Sequence, residues 1–483
     1  MFLRTINVEY KFLIKYVYKK YFRMKQILLI LILCFNSNSF SLSTDNEGRF
    51  LNFSDIHFDP YYDSTLFNQL VESDFTEWEN IFENSSVKTV SSYGRDCNYH
   101  LLKSSLEEMK LKITDPDFII ITGDFMSHDF NEQYEHFAGK KNTKELNLFI
   151  SKTIKFVTAY ISKYYPGELI FPTVGNDDAF CGDYMIEPGG EFLKMTGETW
   201  EPWVNYNKIN QNFKNDFSRG GYCILDFPGN EKVKMIILNT VFFSYKYENE
   251  CGDTSLNPGL DEIIWLEENL ERCRRRDQKV YLSYHIPPGA DIYGTIHNKA
   301  DCKNKFFKSW KDEYTTAFTK LISDYSSVIV AGFAGHFHRD DFRLFYNGDT
   351  PVSYLMITPS ISPIYVNNPS FKIFEYDKND FTLKNSSSYF LNDPTESSPS
   401  VWNFQYDFST AYGQNNISTE NLFNVYNLIR TDTLIRSNYI KYYTASDSSS
   451  YEADLSNWRY NLCGIGNYTL QDYSECLCSD SQK

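Results

Sequence analysis

Five short runs of this chain each end an apolar stretch with a side chain that can bind a metal ion. They are Ser54-Asp55-Ile56-His57, Thr122-Gly123-Asp124, Gly175-Asn176, Tyr284-His285-Ile286-Pro287-Pro288 and Ala334-Gly335-His336-Phe337-His338. Carboxylates, an amide oxygen and imidazoles together suit borderline divalent ions such as zinc, manganese or ferrous iron. Each run alone is weak, because a lone Asp-x-His is more often a surface accident and isolated imidazoles are usually structural. Their co-occurrence in one order carries the reading. With His128, four residues beyond Asp124, the set takes in five of the eight histidines. Glycines beside the ligands allow close backbone approach.

Residues so far apart converge only if the strands before them end together, as they do at the carboxyl ends of α/β sheets. Phe50–Ser54, Phe118–Thr122, Leu169–Val174, Val233–Leu238, Val280–Tyr284 and Val328–Phe333 are strand candidates. Lys144–Tyr164 and Leu260–Arg276 read as helices, the second placing Ile263, Leu266 and Leu270 on one face. This alternation predicts an α/β layered domain over 44–380. After about residue 380 the texture changes. A Ser/Pro/Asn-rich stretch, Asn392–Ser400, leads into a Tyr/Asn-rich segment expected to be a helical subdomain, 381–483, closed by Cys463, Cys476 and Cys478. Trp402, Phe404, Tyr406 and Phe408 alternate and are expected to pack on the core.

Residues 1–43 read as a targeting segment. Ile27–Phe35 is continuously apolar, follows Met24-Lys25 and runs into small polar residues, the pattern of a secretory signal rather than a spanning helix. Met24 is an alternative start. These residues carry seven basic side chains and one acid, so in a chain of net charge −16 the remainder stands near −22. Such a charge disfavours nucleic acid and anionic membranes as partners. Arg272–Arg276 reads as the solvated end of a helix. Of ten cysteines, Cys34 lies in the targeting segment, and the odd remainder leaves at least one thiol outside any intrachain disulfide. Sequons at Asn84, Asn385, Asn416 and Asn467 fit an exported glycoprotein, whereas the match at Asn52 falls in an expected buried strand.

The ordered set DxH, GD, GN, H and GHxH resembles the calcineurin-like metallophosphoesterases. Finer detail is similar to the acid sphingomyelinase-like phosphodiesterases of that superfamily: Gly123-Asp-Phe-Met-Ser-His-Asp129, His285-Ile-Pro-Pro-Gly289, Gly335-His-Phe-His-Arg-Asp-Asp-Phe342, Thr358-Pro359-Ser360 and the C-terminal cysteines, spanning roughly 48 to 478. The resemblance implies a four-layer β-sandwich flanked by helices, with a small helical, disulfide-bonded C-terminal lobe. It implies that Asp55, His57 and His338 hold one divalent ion, that Asn176, His285 and His336 hold another, and that Asp124 bridges them. Zinc is the first expectation, manganese or ferrous iron the alternatives. Two such ions polarise a phosphate and supply hydroxide near neutral pH for in-line attack. The resemblance also implies Cys251–Cys302 and Cys463–Cys476 disulfides.

One departure bears on mechanism. The family usually carries a histidine after the asparagine, thought to assist the leaving group, where this chain reads Gly175-Asn176-Asp177-Asp178. Asp177 and His128 are therefore the candidate catalytic residues. A carboxyl donates a proton only when its pKa is raised, which neighbouring acids favour and nearby dications oppose. His128, which matches a second histidine of the subfamily, is the better candidate acid. Expelling an alkoxide needs strong protonation, whereas a phosphate leaving group, with a second pKa near 6, needs little. Phosphoanhydrides and other small soluble substrates, such as nucleotides or choline phosphodiesters, are thus expected over sphingomyelin. Vacuolar endopolyphosphatases, which are relatives, also lack that histidine. With only a few residues between the targeting segment and the first strand, a saposin-type module like the sphingomyelinase's is not expected. The alternatives are an endopolyphosphatase, a sphingomyelin phosphodiesterase, or a metal-binding protein that has lost catalysis. The expected protein is a monomer, secreted or in a lysosomal or vacuolar lumen, or periplasmic if bacterial.

Overall fold

The computed structural model describes residues 46–394 and 401–479; the expected targeting segment with Cys34, and most of Asn392–Ser400, lie outside them. The first strands are β1 (Glu47–Phe53), β2 (Phe118–Ile121), β3 (Ile170–Pro172), β4 (Cys223–Phe227), β5 (Asn230–Ile237) and β6 (Lys279–Ser283). They are followed by β7 (Ile329–Ala334), β8 (Asp341–Asn347), β9 (Thr350–Ile357), β10 (Ser370–Asp377), β11 (Leu383–Asn392) and β12 (Val401–Asp407). One sheet runs β12-β11-β10-β1-β2-β3, the other β4-β5-β6-β7-β9-β8. The site-bearing strands pair in parallel: β1 with β2 and β2 with β3 in the first, β5-β6-β7-β9 in the second. Every residue of β2 is buried, which is why it reads as an unbroken apolar run rather than an alternation.

The sheets face each other through aromatic rings. Phe50 stacks on Phe118 and Phe374 of its own sheet, at 4.5 and 5.1 Å, and meets Phe333 of the other edge-on at 5.5 Å. Offset and edge-on pairs of this kind add stabilisation beyond the area they bury. Towards the carboxyl ends the contact turns polar, with Thr173 and Ser283 hydroxyls 2.9 Å apart and Thr358 donating to the Asn52 amide oxygen. Asn52 is fully buried, as expected of that sequon match. Helix Glu191–Val204 packs at β3, while Pro258–Arg275, Asp312–Asp324 and Thr419–Thr431 cover the second sheet, giving the expected layered α/β architecture. Ile263, Leu266 and Leu270 are buried, and Arg272, Arg274 and Arg275 occupy that helix's last turn.

Two expectations are corrected. The segment from 381 does not begin helical, because β11 and β12 extend the first sheet by antiparallel pairing. Their polar composition hides them. Buried Ser388 and Tyr406 hydroxyls both donate to Asp340, which also pairs with buried Lys372 at 2.6 Å, so part of this sandwich interior is a satisfied polar network. Helices do follow, from Phe408–Tyr412 to Leu470–Cys478. Of the alternating aromatics, Tyr406 and Phe408 are buried but Phe404 is 56% exposed on the edge strand. The second correction concerns cysteines: Cys251 bonds Cys181 and Cys302 bonds Cys478, while Cys463–Cys476 agrees. The chain brings Cys251 beside the loop after Asn176, with the Glu248 N–H on the Tyr184 carbonyl, whereas Cys302 meets the last helix. Cys97, Cys223 and Cys273 are buried thiols.

Candidate metal centre

The first sheet delivers Asp55 and His57 after β1, Asp124 after β2 and Asn176 after β3; the second delivers His285 after β6, and His336 and His338 after β7. Backbone bonds lock the loops together: Asp55 N–H to Gly123 O, His57 N–H to Asp124 O and Gly335 N–H to His285 O. Asp55, His57, Asp124, His336 and His338 all have positive φ, between 44° and 73°. For residues with a Cβ this left-handed backbone is costly, and it gathers where surrounding structure enforces it at functional sites. Two glycines permit the approach. A Cβ on Gly175 would collide with Asp124 Oδ1, and one on Gly335 with Ser54 Oγ.

All seven candidate ligands converge. His57 Nε2 lies 3.1 Å from His338 Nε2 and 3.4 Å from Asp124 Oδ2, and His338 Nε2 lies 3.5 Å from Asp55 Oδ1. On the other side, His285 Nε2 lies 2.9 Å from Asp124 Oδ2 and 3.2 Å from Asn176 Oδ1, and His336 can join Asp124 and His285 around one ion. Asp124 thus touches both halves of the cluster.

The hydrogen bonds around the cluster leave lone pairs pointing inward. His57 Nδ1 faces the Met126 carbonyl at 3.0 Å and His285 Nδ1 the Thr122 carbonyl at 2.6 Å. A carbonyl only accepts, so each Nδ1 carries a proton towards it, and each Nε2 is the ring atom turned into the cluster. Asn176 Nδ2 donates to Asp183 at 2.8 Å and Asp177 at 3.1 Å, which turns its Oδ1 towards His285. Imidazole nitrogens, carboxylate oxygens and an amide oxygen crowded at this spacing form a donor set that fits divalent cations. Burial holds His57, His336 and His338 well below the usual imidazole range, hence neutral. For His285 burial works the same way, but the Asp124 and Asp55 carboxylates outweigh it and lift the ring to about 9.

His128 stacks on His57, ring centroids 4.0 Å apart. Its Nδ1 faces Asp96 at 3.1 Å and its Nε2 the Tyr365 hydroxyl at 3.2 Å. It could also complete a donor group with His57 and His338. Asp177 Oδ2 lies 3.7 Å from His57 Nδ1 and 3.9 Å from His128 Nε2. Burial pushes the Asp177 carboxyl well above the usual range, and Asp124, Asp183, Asp96 and Asp178 push the same way. Asp178 turns inward and accepts N–H groups of Gly175, Phe125 and Met126, tying β3's loop to β2's.

A cavity of about 320 Å³ opens over the cluster. Sequence reasoning missed Asp183, Tyr184, Lys246, Tyr365 and Glu452, which line it, and Asp96, which holds His128 from behind. Glu452 arrives from the C-terminal segment and pairs with Arg339 at 3.0 Å, next to His338. Only Arg339 lay in a motif; its partner, 113 residues on, carries no local signal.

The profile of the calcineurin-like phosphoesterases matches residues 48–340, and that of the acid sphingomyelin phosphodiesterase C-terminal region matches 350–483. Sphingomyelinase phosphodiesterase D of Dictyostelium discoideum is 28% identical over 478 residues, covering 93% of this chain and 97% of its own. Acid sphingomyelinase-like phosphodiesterase 3b of Mus musculus is 27% identical, covering 89% and 90%. Cyclic GMP-AMP phosphodiesterase SMPDL3A of Rattus norvegicus is 25% identical, covering 89% and 92%. Among solved structures, a dimetal phosphatase from Danio rerio is 10% identical with a TM-score of 0.41, covering 74% of this chain and 99% of that one.

Proposed function

Because this chain belongs to the calcineurin-like phosphoesterases, within them to the acid sphingomyelinase-like phosphodiesterases, we propose that it hydrolyses small soluble phosphodiesters or phosphoanhydrides with two divalent metal ions. The observation that carries this reading is the set of inward-facing Nε2 and carboxylate oxygens of Asp55, His57, Asp124, His285 and His338, packed 2.9–3.5 Å from one another. Asp55, His57 and His338 would hold one ion, Asn176, His285 and His336 the other, and Asp124 both; zinc is the proposed metal. When bound, the ions supply Lewis acidity and lower the pKa of a coordinated water.

The protein's own groups do the rest. Asp96 fixes the His128 ring so that Nε2 faces the cavity, where it can hold a proton for the departing oxygen. Asp183 keeps the Asn176 carbonyl turned inward. Asp177, in place of an imidazole, favours substrates whose leaving group needs little protonation. Three disulfides support an exported or lumenal protein.

Metal analysis of the purified protein, with a panel of nucleotides, polyphosphate and choline phosphodiesters assayed with added zinc or manganese, tests the proposal. Two bound metals with no turnover from pH 4 to 8 would leave a metal-binding protein. Sphingomyelin as clearly the best substrate would overturn the leaving-group preference.

A further inference from the structure

The cavity over the cluster carries three acids beyond the candidate ligands, and each already has a donor. Asp183 accepts from Asn176 Nδ2 at 2.8 Å, Asp291 from the Gly294 N–H at 3.0 Å, and Glu452 from Arg339 at 3.0 Å. Arg339 is spent on that pair and on the carbonyls of His338 and Tyr365. Lys246 differs. It is exposed, makes no ion pair among the described residues, and holds its ammonium 4.7 Å above the Tyr184 ring. The Tyr184 hydroxyl in turn lies 3.4 Å from His336 Nε2, so one aromatic ring separates Lys246 from the cluster.

That placement is fixed by the surrounding chain. Tyr184 has φ 57°, a strained backbone for an aromatic residue, and its N–H is held by the Asn176 carbonyl at 3.0 Å. The loop of Lys246 is tied to the loop of Tyr184 by the Glu248 N–H on the Tyr184 carbonyl and by the Cys181–Cys251 disulfide. The Asp183 and Asp291 carboxylates feel the Lys246 charge without forming an ion pair with it, so its ammonium keeps free N–H groups beside the phosphoryl site for an anionic group of the substrate.

We infer that Lys246 is a specificity-determining residue that receives the second anionic group of the substrate, the adjoining phosphate of a phosphoanhydride such as a nucleoside diphosphate. This rests on the phosphohydrolase reading above. A choline headgroup would meet like charge at the same point.

The test compares wild type with Lys246→Met and Lys246→Arg on ADP and on bis(4-nitrophenyl) phosphate, a singly charged diester, with ADP affinity measured separately by calorimetry. Lys246→Met should lower kcat/KM for ADP by about tenfold or more, mainly through KM, and weaken ADP binding to match. The diester should be turned over as before, and Lys246→Arg should recover most of the loss. Parallel losses on both substrates, or unchanged ADP turnover and affinity, overturn the inference. If wild type hydrolyses neither compound, the phosphohydrolase reading fails, and unequal ADP affinities still decide whether Lys246 takes the second phosphate.

Discussion

The Asp96 carboxylate grips His128 at two points, accepting its backbone N–H at 2.8 Å and facing its ring Nδ1 at 3.1 Å. Burial opposes a charged ring here, but Asp96 outweighs it, so His128 sits above the usual imidazole range. If His128 protonates the leaving group, Asp96→Asn should lower kcat by about ten- to a hundredfold on alkyl diesters and much less on 4-nitrophenyl esters. His128→Gln should show the same pattern more strongly with metal content intact. Loss of a metal ion from His128→Gln would make it a ligand instead.

Asp177 lies 3.9 Å from His128 Nε2 and is proposed to stand where the family carries its leaving-group histidine. Asp177→His should therefore raise kcat on alkyl diesters by about tenfold or more while leaving anhydride hydrolysis little changed. A uniform fall across all substrates would instead assign Asp177 to holding the Asn176 amide, to which its Oδ2 is bonded.

Asp124 Oδ2 lies within 3.4 Å of rings from both halves of the cluster. Zinc or manganese should raise Tm in a concentration-dependent way, by the equivalent of about 2.7 kcal/mol at a hundredfold excess over Kd, and a chelator should reverse it. Asp124→Asn should abolish turnover and most of that Tm response together. A Tm indifferent to both metals would remove the basis for a binuclear site.

The parts of the fold legible in the sequence are those where physics leaves little choice. β1, β2, β3, β5, β6 and β7 each carry a buried apolar stretch that shows in the sequence; β11 and β12 do not, because their buried faces include Ser386, Ser388 and the Asp340 partner Tyr406. The donor residues were legible because few side chain types bind metals. The left-handed backbone at Asp55, His57, Asp124, His336 and His338 was not, since none is glycine. Asp96, Lys246 and Glu452 were invisible for another reason: each matters only through a neighbour far along the chain.

The Cys181–Cys251 bridge closes a separation of 70 residues, Cys463–Cys476 one of 13. Replacing both cysteines of the longer bridge with serine should cost about 4 kcal/mol of stability, the shorter somewhat less. The functional contrast should be larger. Freeing the loops of Tyr184 and Lys246 should lower kcat/KM for ADP, whereas Cys463→Ser with Cys476→Ser should lower Tm alone. Equal activity in the two double variants would mean that backbone bonds such as Glu248 N–H to Tyr184 O suffice.

Glu262 is fully buried in helix Pro258–Arg275, where its Oε1 accepts the Asn239 N–H at 2.7 Å and its Oε2 has no partner among the described residues. Burial pushes its carboxyl well above the usual range, and the Asn239 bond offsets only part of this. The folded state therefore keeps a proton that the unfolded chain releases near pH 4.3. The stability this proton contributes is complete below that pH and is lost as pH rises towards the folded pKa, at up to about 1.4 kcal/mol per pH unit. Glu262→Gln keeps an oxygen for Asn239 and cannot ionise. Melting curves from pH 4 to 7.5 should show wild type losing Tm relative to Glu262→Gln as pH rises, with the two closest at pH 4. Parallel curves would assign the pH response to other buried acids.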